Sequence, residues 1–178
     1  MNLNQKILVT YASRFGATAG VAEAIGKTLE AHGLPVDVLS MKEVQDLSAY
    51  RAVIAGSAIN GGAWLPEAMS FIQTHQAELR SQPFAVFQVC MTLAMKNGEQ
   101  YRSHVASWLE PVRRLARPVN EGLFAGALDI GKIPSRSDRF KFRLSVLFGV
   151  WKEGDHRDWN AIRAWAEILY RSMDLKQS

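Results

Sequence analysis

Residues 6–25, KILVTYASRFGATAGVAEAI, decide how this chain is read. The apolar run Ile7-Leu8-Val9, continued by Tyr11, predicts a strand that leads straight into a short loop from Ala12 to Thr18. A helix with an Ala/Val/Ile face follows at once. Ser13 and Thr18 bring hydroxyl donors to the loop, and Gly16 lets the backbone come close to a ligand. The helix start at Thr18–Ala19 presents N–H groups that have no partner within the helix. Together these make an anion cradle, the arrangement that holds phosphate at helix N-termini. The loop is not a P-loop, because no Gly-Lys-Ser/Thr closes it, and it is not a GxGxxG fingerprint. The plainer reading of the same residues is a β–α turn capped by a hydroxyl.

Working outward, periodicity and punctuation predict strict alternation. Strands fall at about 6–11, 36–39, 51–57, 84–90 and 122–128, and helices at about 18–32, 66–76, 98–115 and 157–173. The last helix carries Trp159, Ile162, Trp165, Ala166 and Leu169 on one stripe. Five strands alternating with helices imply an α/β, doubly wound parallel sheet covered on both faces, in one domain over 1–178. In one of the two common windings, strand order 2-1-3-4-5, a ligand sits at the carboxyl ends of strands one and three, where the winding reverses. The loops there carry unusual residues. After strand three come Ala58, Ile59, Asn60, the adjacent pair Gly61 and Gly62, and Trp64. The glycine pair permits positive φ, and Trp64 either lids an aromatic ligand or plugs a helix end. After strand four come Cys90, Met91, Thr92 and Leu93, whose backbone can offer donors and acceptors. Cys90 reads as a small buried apolar group, since no second cysteine or local base accompanies it.

Between strand five and the last helix lies a segment of about 28 residues, 129–156, where a handful would do. Phe140, Leu144, Leu147, Phe148 and Trp151 recur there at i, i+4, i+7, i+8 and i+11, one wide apolar helical face that Gly149 interrupts. Arg136, Arg139, Lys141, Arg143 and Lys152 interleave with it. From Lys132 to Lys152 there are six basic residues and one acid, a net +5; the rest of the chain has fifteen basic and sixteen acidic residues, a net −1. A basic amphipathic helix with Phe and Trp reads as an anchor on anionic lipid. Packing on the chain's own sheet and pairing with a second copy are the alternatives.

Composition sets the remaining bounds. The chain is 48% apolar and 21% charged, as in an ordinary soluble globule, and carries a formal net charge of +4. A single cysteine allows no intramolecular disulfide and fits a reducing cytoplasm. The opening MNLNQK lacks the arrangement of a signal peptide. No metal-ligand spacing is present, and the basic residues accompany no nucleic-acid reading motif. His32, His75, His104 and His156 are scattered and read as surface histidines.

The spacing of Tyr11, Ser13, Gly16, Thr18 and Ala22 resembles the FMN-phosphate loop of flavodoxins. That resemblance implies a flavodoxin-like fold with FMN held by Ser13, Arg14, Phe15, Gly16, Ala17 and Thr18 at the phosphate. Ala58–Gly62, Trp64 and the Cys90–Leu93 backbone would then bracket the ring system. Three further features resemble the flavodoxin-type, menaquinone-dependent protoporphyrinogen oxidases of haem synthesis: the basic aromatic insertion after 126–128, the 57–64 loop, and Asp158-Trp159 opening the last helix. This implies an enzyme that takes electrons from protoporphyrinogen IX and hands them to a membrane quinone. The basic side chains of 136–143 would meet porphyrin propionates, and the protein would sit peripherally on the inner face of the cell membrane. A flavodoxin-type electron carrier and an FMN-dependent quinone reductase are the other classes.

Overall fold

The computed structural model describes residues 6–173 and 175. Its central strand is β1 (Lys6–Ala12), in which Ile7, Leu8 and Val9 are fully buried. Such a run is apolar on both faces because helices cover both sides of the sheet. After α1 (Ala17–Glu30), β2 (Val36–Ser40) pairs with β1 in parallel, Ile7 opposite Val36. On the other side of β1 lies β3 (Tyr50–Asn60), with Ala12 opposite Ser57. The two-residue strand β4 (Ala63–Trp64) folds back antiparallel on the end of β3. Next come α2 (Pro66–Thr74), α3 (Gln76–Ser81) and β5 (Phe84–Cys90), then α4 (Arg102–Ser107), α5 (Glu110–Ala116) and β6 (Asn120–Ala125).

The parallel strands run β2-β1-β3-β5-β6, which is the expected 2-1-3-4-5 once the antiparallel β4 is set aside. Alternation along the strands feeds two cores. Ile7, Val9, Ile54 and Phe87 face α1 and α7 (Trp159–Ser172), where Ile162, Trp165 and Leu169 form the stripe read from the sequence. Leu8, Val53, Ala55 and Val86 face the opposite layer of α2, α3 and α5.

Two expected helices are broken. The one over 66–76 stops at Thr74 and restarts at Gln76, with His75 between them, buried against Phe71 rather than at the surface. The one over 98–115 begins as a 3-10 turn (Gly98–Tyr101) and is interrupted at Trp108–Leu109. Pro111 falls in the first turn of the restarted helix, where a missing N–H costs nothing.

The extra segment is a structured excursion with a closed neck. Beyond β6, β7 (Ala127–Leu128) pairs antiparallel with β8 (Gly154–Asp155), so both ends of the insertion meet at the end of the fifth parallel strand. Between them stands α6 (Arg136–Leu147). Ser135 caps its start by accepting from the Asp138 N–H. Its end is a Schellman motif: Gly149 N–H donates to Val146 O and Val150 N–H to Ser145 O. Gly149 therefore terminates the helix. Leu128, Ile130 and Ile133 form a third, small core beneath α6, joined by Phe15, Met91, Phe142, Val146 and Trp151.

Candidate functional site

The β1–α1 loop is shaped by its own short-range bonds. Ser13 Oγ accepts from the Gly16 N–H at 3.1 Å, and Gly16 adopts φ +86°, a conformation that disfavours any side chain. A Cβ placed on Gly16 would meet no atom within 4 Å, and the residue is exposed, so this point of the loop faces open space and is not packed against protein. Thr18 is fully buried, and its Oγ1 has no hydrogen-bond partner. An unpaired buried hydroxyl is costly, and its presence points to a ligand oxygen as the missing partner.

This loop is one wall of a cavity of about 460 Å³ at the carboxyl ends of the strands. Ser13, Arg14, Phe15, Ala17 and Thr18 come from the loop and the first turn of α1. Ala58, Ile59 and Asn60 come from the end of β3, and Val89, Cys90 and Met91 from the end of β5. Gly126, Ala127 and Leu128 extend from β6 into β7. Asp138, Lys141, Phe142 and Ser145 reach in from α6 and close the far side. The position is the one the winding reversal predicts.

Several expected residues stand elsewhere. Trp64 is 4% exposed, and its Nε1 donates to the buried Gln88 Oε1 at 3.1 Å, while Gln88 Nε2 donates to Val105 O. It is a plug in the second core and lines no part of the cavity. Strand β3 runs three residues further than expected, and Gly61 and Gly62, with φ of +60° and +76°, form the two-residue turn of the β3–β4 hairpin. The hairpin carries Trp64 back over β3 (Ile59 opposite Trp64) and into the core. Thr92 and Leu93 enter a 3-10 turn (Thr92–Ala94) outside the cavity lining, although Cys90 and Met91 belong to it. Burial raises the Cys90 thiol above its ordinary pKa, so it is an uncharged apolar wall.

In the insertion, Lys141 is the basic residue that reaches the cavity, 3.7 Å from the Asp138 carboxylate. Arg139 folds back, its guanidinium donating to Ile133 O at 2.8 and 3.2 Å, and Arg136 and Arg143 are exposed. Phe140, Leu144, Leu147 and Phe148 are also exposed, whereas Trp151 turns inward to the third core. The apolar face read from the sequence is thus split, with Trp151 on the inner side. Phe142, Asp138 and Ser145 escaped the sequence reading. Phe142 lies two positions from Phe140, on the opposite side of a helix, which was the available signal.

One clamp ties the insertion to the cradle. Arg157 makes a bidentate pair with Asp155 (2.8 Å from Nε and from Nη2), donates from Nη1 to Ala17 O at 3.2 Å, and lies 4.3 Å above the Trp159 ring. Its guanidinium occupies the space that a Cβ at Gly20 would need, which explains a glycine in the first turns of α1. None of the four histidines lines the cavity, and no cluster of metal-ligating residues occurs among the described residues.

A family model for the flavodoxin domain matches residues 8–147. This chain belongs to the flavodoxin family. FMN is accordingly its cofactor, and electron transfer or oxidoreduction is its chemistry; the orphan hydroxyl of Thr18, at the wall of the cavity, fits a phosphate-bearing flavin. Solved structures agree on the fold. The flavodoxin of Streptococcus pneumoniae TIGR4 is 16% identical, with a TM-score of 0.59 over 93% of this chain and 97% of that one. Flavodoxin 2 of Bacillus cereus is 24% identical, with a TM-score of 0.52 over 80% of this chain and 97% of that one. The rubredoxin oxygen:oxidoreductase of Desulfovibrio gigas is 16% identical, with a TM-score of 0.54 over 97% of this chain but 37% of that protein.

Proposed function

We propose that this flavodoxin-family protein is an FMN-dependent oxidoreductase that oxidises protoporphyrinogen IX and passes the electrons to a membrane quinone. The observation that carries the reading is the wall that α6 adds to the cavity. A carrier that exchanges electrons with protein partners needs its cofactor edge on an open face, whereas an enzyme acting on a small molecule needs an enclosed one. Bound FMN supplies the redox chemistry. Ser13, the amides after Gly16 and Thr18 would hold its phosphate, with Arg14 at the rim of the loop. The Cys90–Met91 backbone and Asn60, which line the cavity, would flank the ring system. Phe142 offers an aromatic face on the substrate side, and Lys141, oriented by Asp138, offers a cation to a substrate carboxylate. Apolar Met91 and Leu128 exclude water between them.

The test is anaerobic: protein reconstituted with FMN is mixed with protoporphyrinogen IX and a menaquinone analogue, and porphyrin fluorescence is followed against a blank without protein. Quinone-dependent porphyrin formation is expected. Bound flavin with no porphyrin formed overturns the oxidase reading. It leaves the second reading, a flavodoxin-type electron carrier, which the whole-length likeness to flavodoxins favours.

A further inference from the structure

Helix α6 has two apolar stripes, and the fold uses only one. Phe142 and Val146 point inward and, with Trp151, cover the third core. On the outer side Phe140, Leu147 and Phe148 are 64%, 78% and 76% exposed, and Leu144 and Val150 extend the patch. Packing on the chain's own sheet therefore accounts for the inner stripe and leaves the outer one uncovered. Five large apolar side chains side by side on an exposed surface mark an interaction site.

Charge selects the occupant. Arg136 and Arg143, at i−4 and i+3 from Phe140, stand along the edge of the outer stripe, and Lys152 follows its end. Among the described residues none of these three has a carboxylate partner, whereas Lys132 and Lys141 pair with Asp129 and Asp138. Two-fold pairing of this face with a second copy would set one net +5 segment against another. An anionic surface suits an apolar stripe rimmed by unpaired cations. Among the described residues no helix is long and apolar enough to cross a membrane, so contact with lipid here is contact with its surface.

We infer that the outer face of α6 docks on an anionic lipid bilayer, lying in the interface with Phe140, Leu144, Leu147 and Phe148 toward the acyl chains and Arg136, Arg143 and Lys152 among the headgroups. Because Asp138, Lys141, Phe142 and Ser145 wall the cavity from the same helix, α6 becomes the partition between the cavity and the bilayer. Only this last consequence rests on the proposed function; the docking stands on the helix itself.

The test is co-sedimentation of the full FMN-loaded chain with vesicles of phosphatidylglycerol and phosphatidylcholine in equal parts, and with pure phosphatidylcholine. Binding to the anionic vesicles is expected, weakened by salt and by neutral lipid. The triple substitution Phe140→Ser, Leu147→Ser and Phe148→Ser should lower that binding about tenfold or more while flavin absorbance is retained. Arg136→Gln with Arg143→Gln should lower it about tenfold and weaken the salt dependence. Because all five side chains are exposed, the substitutions leave the core intact, and retained flavin absorbance verifies that. Wild-type protein that stays in the supernatant overturns the docking, as does equal binding by the triple variant. A dimer in gel filtration that the triple variant dissociates, without vesicle binding, assigns the face to a second copy instead. Vesicle binding is read without turnover, so it can hold even if no porphyrin is formed.

Discussion

The β1–α1 loop and the 129–156 insertion wall the same cavity from opposite sides and are held in opposite ways. The loop is continuous with the central strand β1, whose Ile7, Leu8 and Val9 are fully buried, and its shape follows from bonds three residues apart, Ser13 to Gly16. The insertion stands on a neck of two residue pairs, a small core of its own and the Arg157 clamp. A cradle for a phosphate must be preorganised, so its geometry is written locally. A roof over a substrate can be anchored separately, and its stability can change without disturbing the sheet.

The largest effect expected is on the local side. Gly16→Val forces a β-branched residue into φ +86° and so distorts the loop; FMN retention, followed by flavin fluorescence on dilution, should fall about 10- to 100-fold. Normal retention would mean that the cradle does not hold the phosphate. Trp64→Phe comes next, because it strands the buried Gln88 Oε1. It should cost about 1–3 kcal/mol in denaturant unfolding and leave FMN affinity unchanged, and the reverse pattern would restore Trp64 as a ligand lid.

Thr18→Val should weaken FMN binding about tenfold in a titration while the FMN-free protein melts no earlier, since a methyl replaces a hydroxyl that has no protein partner. A drop in the melting temperature without FMN would show that the hydroxyl is satisfied within the protein. On the insertion side, Arg157→Gln should cost about 1 kcal/mol and hasten proteolytic nicking within 129–156, with the sheet intact.

The smallest effect is on pH. The Arg157 pair holds the Asp155 carboxyl below the ordinary aspartate value of 3.8, so the folded form favours the charged group. The stability it contributes is present above pH 3.8 and is lost as pH falls through the lowered value. Nicking of the insertion should therefore accelerate below about pH 3.8 in the wild type, and that acid dependence should weaken in Arg157→Gln, which keeps only the backbone N–H and Trp159 contacts to Asp155. An identical acid profile in both would mean that the clamp does not carry it.

Much of the molecule was legible in the chain. The apolar run at Ile7-Leu8-Val9 announced a strand covered on both faces, alternation announced a doubly wound sheet, and the order of its strands came with the resemblance to flavodoxins. Ser13, Gly16 and Thr18 announced the cradle because a β–α turn uses neighbours in sequence. Trp64 stays open in the sequence between lid and plug for a definable reason. Whether it faces ligand or core depends on where β3 ends, and the glycine pair that turns the hairpin looks the same in a loop. Helix α6 was read as one apolar face, but it has two, and periodicity alone cannot say which one the body of the protein will take.

The sequence by itself determined the alternation of strands and helices, the turn of the β1–α1 loop and the stripe of α7, because these rest on periodicity, backbone conformation and contacts a few residues apart. Only the tertiary structure decided that Trp64 is a plug, that Lys141 and Phe142 face the cavity while Phe140 and Phe148 face outward, and that Arg157 reaches Ala17. Those are contacts between residues distant in the chain, and which of several equivalent faces is buried is settled by what happens to lie against it.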